Sequence, residues 1–428
     1  MAQAQSLLWY RVARLLRSIK ASPLLSPRTQ EEHNARALYL STALMGVPSG
    51  GIAAFLPVFL ARLGASSTLI GWVTSAPALL LVFTVIPGAA IAERYADQVR
   101  VRVTSAQLIR SSFLLCALAP FFVPTTYLPL VLVIIWTLKT FPDAVAVPSW
   151  TAVMAQAISP EKRARINGTR WALLSIVSAI SSAAFGWLLD SVRFPLNYQL
   201  VFFVSFVLAW LDPFFFSYIR VPPLERTAPP TARGMLRRFA EYLEPVRHHR
   251  GFLLFLGCTI LYRITLNFPA PLFSVFWVND LGATDALIGL RGTVGHAALV
   301  VGYILWGNRA NRLGHRKVLW LSALGLAIYP IFTALSPTAI WLLPAAAIWG
   351  ITVAGIDVGI FDLMLASIPG QRQPLFAGAY SMVANACIFL GPLIGAATAQ
   401  ATTTRSALIL AGILQAITTI PFFLLPRD

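Results

Sequence analysis

Charge is scarce in this chain. Asp, Glu, Lys and Arg make up 11% of its 428 residues, against about 25% in an ordinary soluble domain. With 57% hydrophobic residues and a mean hydropathy of +0.72, that shortage excludes a soluble enzyme. Cysteine is equally sparse: Cys116, Cys258 and Cys387 each sit in an apolar stretch without metal-ligand spacing, so neither a disulfide framework nor a metal site is expected. No Gly-x-x-x-x-Gly-Lys-Ser/Thr run occurs, which leaves direct nucleotide drive unsupported. Acidic residues are few, and a close pair outside the amino-terminal segment and central linker, Asp280 with Asp285, lies in one outer loop. That pair is a thin basis for the metal cluster of a lipid-modifying membrane enzyme, so no enzymatic chemistry and no cofactor are expected. The first twenty residues lack a long apolar core followed by a small-residue cleavage site, which argues against a secretory signal peptide.

Long apolar segments are abundant. A helix needs about 20 mostly apolar residues to cross a bilayer, and twelve such segments can be placed, at roughly 37–62, 68–92, 102–123, 127–155, 167–189, 198–219, 252–278, 285–308, 317–336, 339–366, 374–400 and 405–425. The predicted fold class is therefore an all-α integral membrane protein with the lipid bilayer as its partner. Basic loops stay on the inner side of a membrane. With both termini inside, 26 of the 33 basic residues fall on that side, three fall outside (Arg62, Arg193, Arg405) and four lie within spans (Arg110, Lys139, Arg263, Arg291). The net charge of +17 is thus a matter of topology, and nucleic acid is not an expected partner. Ahead of the first span, Leu7, Leu8, Val12, Leu15, Leu16 and Ile19 share a helical face, with Arg11, Arg14, Arg17 and Lys20 around the rest. This pattern reads as an amphipathic helix on the inner membrane surface.

The chain repeats itself. Gly64-Ala65-Ser66-x-x-Leu69-Ile70-Gly71 matches Gly282-Ala283-Thr284-x-x-Leu287-Ile288-Gly289, each preceded by a Val-Phe pair (Val58-Phe59, Val275-Phe276). The same register carries Glu93-Arg94 onto Asn311-Arg312. Residues 221–250, rich in Pro and Arg, separate the copies. The expected organisation is an amino-terminal segment at 1–35, a six-helix bundle at 36–220, a cytoplasmic linker at 221–250 and a second six-helix bundle at 251–428. A duplicated six-span unit marks a secondary transporter with its site where the halves meet.

These features resemble the major facilitator superfamily over nearly the whole chain. The most specific motif is Gly307-Asn308-Arg309-Ala310-Asn311-Arg312-Leu313-Gly314-His315-Arg316-Lys317, similar to that family's loop signature. Its first-half counterpart, Ala89 to Ala96, has alanines in place of both glycines, and a looser loop is expected there. Gly391-Pro392-Leu393-Ile394-Gly395 echoes a Gly-Pro motif of some exporters, and Ile158 to Gly168 looks like a superfamily loop between spans four and five. The resemblance implies two pseudo-symmetric bundles alternating between inward- and outward-open states, with spans one, four, seven and ten lining the cavity. It also implies gating roles for Asn311, Arg312, Gly314, Arg316, Glu93 and Arg94. Arginines beside carboxylates and helix ends can act as charge-assisted latches. They also serve to fix topology, and both readings stand.

Ionisable residues inside spans cost about 2.5–3.5 kcal/mol on insertion scales, so each needs a partner or a function. In span four Lys139 and Asp143 share a face one turn below Trp136, with Pro142 between them bending the helix. In the second half Arg263 and Asn267 share a face of span seven, and Asp357 lies in span ten at a comparable depth of about 15 Å, where an Arg263–Asp357 pair can form. Trp136, Lys139, Asp143, Arg263, Asn267 and Asp357 are the candidates for substrate binding or proton coupling. The competing reading is closed ion pairs such as Arg110–Asp143. Asp362 is expected to pair with Arg312 or Arg316 as a gate, and Asp212 to pack near the inner end of span six. Arg291 and His296 are read as helix-packing groups ahead of a proton relay. Gly46, Gly50, Gly51 and Pro57 in span one, with Pro269 and Pro271 in span seven, mark either site or packing. Trp136, Trp150, Tyr262, Phe268, Trp349 and Phe361 are aromatic candidates on the cavity spans.

The function expected is secondary active transport of a small polar or amphipathic solute by a monomer, with proton coupling and direction open. A non-transporting receptor on the same fold is the main alternative, and a polytopic lipid-modifying enzyme a weaker one.

Overall fold

The computed structural model describes residues 27–223, 247–368 and 373–425. The amphipathic segment expected before residue 27 and most of the linker lie outside these residues. Twelve helices long and apolar enough to cross a membrane run Gln30–Arg62, Ser67–Val85, Gln98–Phe122, Leu128–Ala157, Pro160–Ser191, Leu196–Phe216, Arg250–Asp280, Asp285–Gly307, His315–Leu335, Ala339–Met364, Gly378–Ala401 and Thr404–Leu424. We number these spans one to twelve. No strand occurs among the described residues.

Local chemistry sets the helix starts. Thr29 and Glu32 form a reciprocal capping box, so span one begins seven residues earlier than hydropathy alone suggests. Asp97 and Thr403 cap spans three and twelve through their side-chain oxygens. The internal repeat is visible in the backbone. Gly64 and Gly282 both hold positive φ, at 76° and 57°, and Ser66 and Thr284 then accept the N–H of Leu69 and Leu287 to start spans two and eight. A left-handed turn followed by a hydroxyl cap explains why Gly-Ala-Ser/Thr recurs.

Two expected loops are mostly helix. Span five starts at Pro160, where a proline suits the first turn, so only Ile158 and Ser159 of the presumed Ile158–Gly168 loop are non-helical. The Gly307–Lys317 motif is a helix corner: one helix runs to Leu313, Gly314 turns at φ 81°, and the next begins at His315. The first-half counterpart, lacking both glycines, needs Glu93–Asp97 to make the same connection.

The packing repeats with a shift of six. Span one packs on five as seven does on eleven, two on four as eight on ten, three on six as nine on twelve, and three on four as nine on ten. Across the halves, two meets eleven and five meets eight. The result is a pair of pseudo-symmetric six-helix bundles. One apolar cluster is shared by both halves near the face opposite the linker, joining Phe55, Phe59, Tyr198 and Phe202 to Phe268, Leu272 and Phe276. Nearer the linker each half has a cluster of its own, around Leu38, Val153 and Phe216 in the first and Phe252, Leu319 and Phe376 in the second. The face carrying the linker and most of the basic loops is called the basic face below, and the opposite one the far face.

Candidate functional site

On the far side the halves are tied together at one point. The Asp285 carboxylate accepts from Arg62 at 3.0 Å and from the Tyr198 hydroxyl at 2.8 Å, and Arg62 also donates to the Ala283 carbonyl at 2.6 Å. Asp190, at the end of span five, accepts the Asp285 and Ala286 N–H groups at 2.9 and 3.0 Å, placing a carboxylate on the first turn of span eight. Deeper in, Ser182 donates to Gly289 and Thr293 to Ala179. Gly186 and Gly289 let the two helices cross closely: a Cβ at Gly289 would lie 2.9 Å from the Gly186 Cα. Gln400 donates to Thr68 where spans eleven and two meet. The hydrogen bonds described between the two halves all join their far parts, and none is described between their basic-face ends.

Inside the first half, Asp212 is fully buried and accepts from Arg110 at 2.8 Å and from the Ser41 hydroxyl, with Arg102 at 4.0 Å. Arg110 also reaches the Met45 sulfur at 2.9 Å. Of the closed pairs considered as the competing reading, Arg110–Asp143 is not formed, because span three packs along span six and aims Arg110 at Asp212. Asp143 makes no ion pair within 4 Å among the described residues. Span four breaks at Lys139, between helices Leu128–Leu138 and Thr140–Ala157. Pro142 has no N–H for the Leu138 carbonyl, and the ladder is lost there. Lys139 is half-buried, with its ammonium 4.4 Å from the centre of the Trp136 ring, which stacks on Phe113. Arg170 lies over Trp150 at 4.8 Å and donates to Thr42 and Asn167.

In the second half, Arg263 donates to the Tyr380 hydroxyl at 2.7 Å and lies 4.7 Å from that ring's centre. Asp357 is exposed and accepts from the Tyr303 hydroxyl at 2.8 Å. The Arg263–Asp357 ion pair that their depths allow is absent among the described residues; each charge has a tyrosine instead. Asn267 donates back to the Arg263 carbonyl on its own helix. Arg291 sits among Trp277, Tyr329 and Trp349 at 4.6 to 5.7 Å and donates to the Tyr329 hydroxyl, while His296 bonds Gly292 of its own helix. Four cations, Lys139, Arg170, Arg263 and Arg291, thus rest on aromatic faces in place of carboxylates, an arrangement worth about 2 kcal/mol or more where water is excluded.

On the basic face, Asp362 pairs with His315 at 2.8 Å, not with Arg312 or Arg316. Arg316 is turned away to the Phe423 and Leu425 carbonyls at the end of span twelve. Glu93, Arg94 and Arg312 are exposed, and the Asn311 and Phe361 side chains lie outside the described set. The span-one glycines serve packing: Gly46 and Gly50 abut span five at Leu174, Val177 and Ser178, and Gly51 leaves helical geometry beside Ser205 and Phe185. Gly391 and Gly395 do the same against the span-seven backbone at Ile264 and Phe268. Tyr262 is buried against Phe422, and Phe268 lies at the break in span seven. Tyr303, Tyr380, Arg170 and the Asp285 tie were not foreseen. Their only sequence signal is a polar group in an apolar run, which does not say which way the helix faces.

A family model described as Major Facilitator Superfamily matches residues 38–273 and 255–428. The chain is 22% identical over 287 residues to an uncharacterised MFS-type transporter, YvqJ, of Bacillus subtilis (strain 168). That match takes in 65% of this chain and 66% of that protein. Among solved structures, a nucleoside transporter, NupG, aligns with a TM-score of 0.69 at 12% identity, covering 93% of this chain and 100% of that one. A POT family transporter in complex with 5-aminolevulinic acid aligns with a TM-score of 0.74 at 10% identity, covering 91% and 95%. A bacterial homolog of the human lysosomal transporter Spinster, in an inward-facing and unoccupied conformation, gives 0.67 at 15% identity, covering 93% and 97%. The duplicated bundles, the helix corner at Gly314 and the match along both halves lead to one conclusion: this integral membrane protein belongs to the Major Facilitator Superfamily of transporters.

Proposed function

We propose that the chain is a secondary active transporter, and not an enzyme, that moves a small polar or amphipathic solute by alternating access. It works as a monomer in the cytoplasmic membrane, with residues 36–220 and 251–428 as the two moving bundles. The asymmetry of basic residues supports cytoplasmic termini and linker, which makes the arrangement described here inward-open. The observation that carries the reading is that the hydrogen bonds described between the halves all lie on the far side, with ionisable groups from both bundles at mid-membrane depth. Lys139 with Trp136 on one side, and Arg263 with Asp357 on the other, are the substrate contacts; Asn267 shapes the span-seven backbone beneath Arg263. Among the described residues Asp143 and Asp357 have no cation in ion-pair distance, and they are the proton-coupling candidates.

A thermal-shift screen of the purified protein against sugars, amino acids, nucleosides, peptides, organic anions and cations identifies the ligand, since a solute that binds the folded state raises its melting temperature. In proteoliposomes, Lys139→Ala and Arg263→Ala are expected to reduce uptake of that solute at least tenfold. Asp357→Asn and Asp143→Asn are expected to flatten its pH dependence, and an unchanged pH profile removes the substituted residue from proton coupling. The basic-face elements Glu93, Arg94, Asn311, Arg312, Gly314, Arg316 and Asp362 act in the gate. Gly314→Leu forces a branched side chain into positive φ, costing about 1–2 kcal/mol, and is expected to slow transport while leaving ligand affinity within twofold. Equal transport rates would make this corner a fixed hinge of topology.

A further inference from the structure

A cavity of about 560 Å³ lies at the basic-face ends of spans one and six. Its polar end is formed by Gln30, His33, Arg36 and Arg220, and its deeper part by Ala37, Leu40, Phe214 and Phe215. None of its lining residues is acidic. The neighbouring carboxylates are already engaged: Glu31 accepts from Lys162 and Ser159, and Glu32 closes the capping box on Arg28 and Thr29. Asn34 ties the two walls together by bonding the Arg220 backbone in both directions, at 2.9 and 3.0 Å. The Arg36 and Arg220 side chains are exposed and make no ion pair among the described residues.

The outlook of this cavity follows from span six. Phe203, Val207, Trp210, Leu211, Phe214 and Tyr218 are all exposed and recur at helical spacing, so they form the stripe that meets hydrocarbon. Phe214 and Tyr218 end that stripe and stack edge-on at 5.2 Å beside the basic groups. The cavity therefore opens sideways into the bilayer at headgroup level, cationic at the top and apolar below.

From this juxtaposition we propose that spans one and six hold an anionic phospholipid, its phosphodiester between Arg36, Arg220 and His33 and the start of an acyl chain against Leu40 and Phe214. Basic pockets between helix ends on the positive side of a membrane recognise such headgroups. A free anion would leave the apolar depth unfilled. The amino-terminal segment is a poor occupant, since Arg11, Arg14, Arg17 and Lys20 repeat the charge already there.

Native mass spectrometry of the full chain in detergent tests this, titrating dioleoylphosphatidylglycerol, dioleoylphosphatidylcholine and glycerol 3-phosphate separately. Phosphatidylglycerol is expected to be retained at least tenfold more strongly than phosphatidylcholine. The Arg36→Gln/Arg220→Gln variant is expected to lose about 30-fold in that affinity, from two surface charges. Arg100→Gln/Lys317→Gln, which removes the same charge elsewhere on the basic face, is expected to change it less than twofold, with all variants matching the parent in melting temperature. Equal loss in both variants overturns the site in favour of general surface attraction. Glycerol 3-phosphate competing as well as the lipid overturns it in favour of a soluble anion, and equal retention of phosphatidylcholine overturns the charge argument.

Discussion

Replacing Asp212 with alanine is expected to destabilise the folded protein by about 3–5 kcal/mol, the usual cost of removing one partner from a buried ion pair. Asp212 is fully buried in span six, between the guanidinium groups of Arg110 and Arg102 and the Ser41 hydroxyl. Without its charge two cations remain in a membrane-embedded core. Neither has an aromatic cage like that of Arg291, though each lies over one phenylalanine, Arg102 over Phe216 and Arg110 over Phe113. Asp212→Asn keeps the shape and loses the charge, so it moves the melting temperature in the same direction by less. The double variant Asp212→Ala/Arg110→Leu removes both members of the closest pair and is expected to recover part of the loss, giving a coupling energy of about 1–3 kcal/mol in a double-mutant cycle. Additive single effects would mean that Arg110 is hydrated through the open side and that the pair carries little of the bundle's stability.

Replacing Asp285 with alanine has its largest effect on the balance of states. The carboxylate joins Arg62 and Tyr198 of the first half to span eight of the second, and its removal leaves both without that partner. Interfacial charge pairs of this kind couple by about 1.5 kcal/mol or more, enough for a tenfold change in population. The three native cysteines are buried, so a cysteine introduced at Ser182, on the crossing of spans five and eight, reports opening through its reaction with a membrane-impermeant maleimide added from the far side. Asp285→Ala is expected to raise that labelling rate about tenfold. Asp190→Ala, which uncaps the first turn of span eight, is expected to give a smaller change of the same sign. An unchanged rate would show that the apolar contacts alone hold the far side shut.

The number of spans and their division into two copies were legible in the sequence, because each rests on local chemistry: apolar run length, and a repeated left-handed glycine with a hydroxyl cap. Partners were not. Arg110, Asp143 and Asp212 lie at depths the sequence allows to be compared, but which of two carboxylates meets an arginine depends on helix rotation, and packing of span three along span six decided for Asp212. The same gap explains Asp362 pairing with His315, and Arg263 reaching Tyr380 ahead of Asp357. Helix ends were misjudged where hydropathy was used alone. The charged first turn of span five is helix because Pro160 begins it, whatever its polarity.

The placement of the apolar clusters sets a condition on the working cycle. Phe268, Leu272 and Phe276 of span seven are buried in a core made jointly with Phe55 and Phe59 of span one, whereas nearer the basic face each bundle is sealed within itself. Full exposure of a side chain of this kind to water costs about 1.5–3 kcal/mol. Parting the far side would forfeit several of these at once, more than a solute of modest affinity returns. The two ends must therefore act as a seesaw for hydrocarbon, in which surface uncovered on the far side is matched by surface covered on the basic side. Substitutions that make the basic-side walls more polar would then hold the far side closed from a distance of a membrane's half-thickness, without touching any residue there.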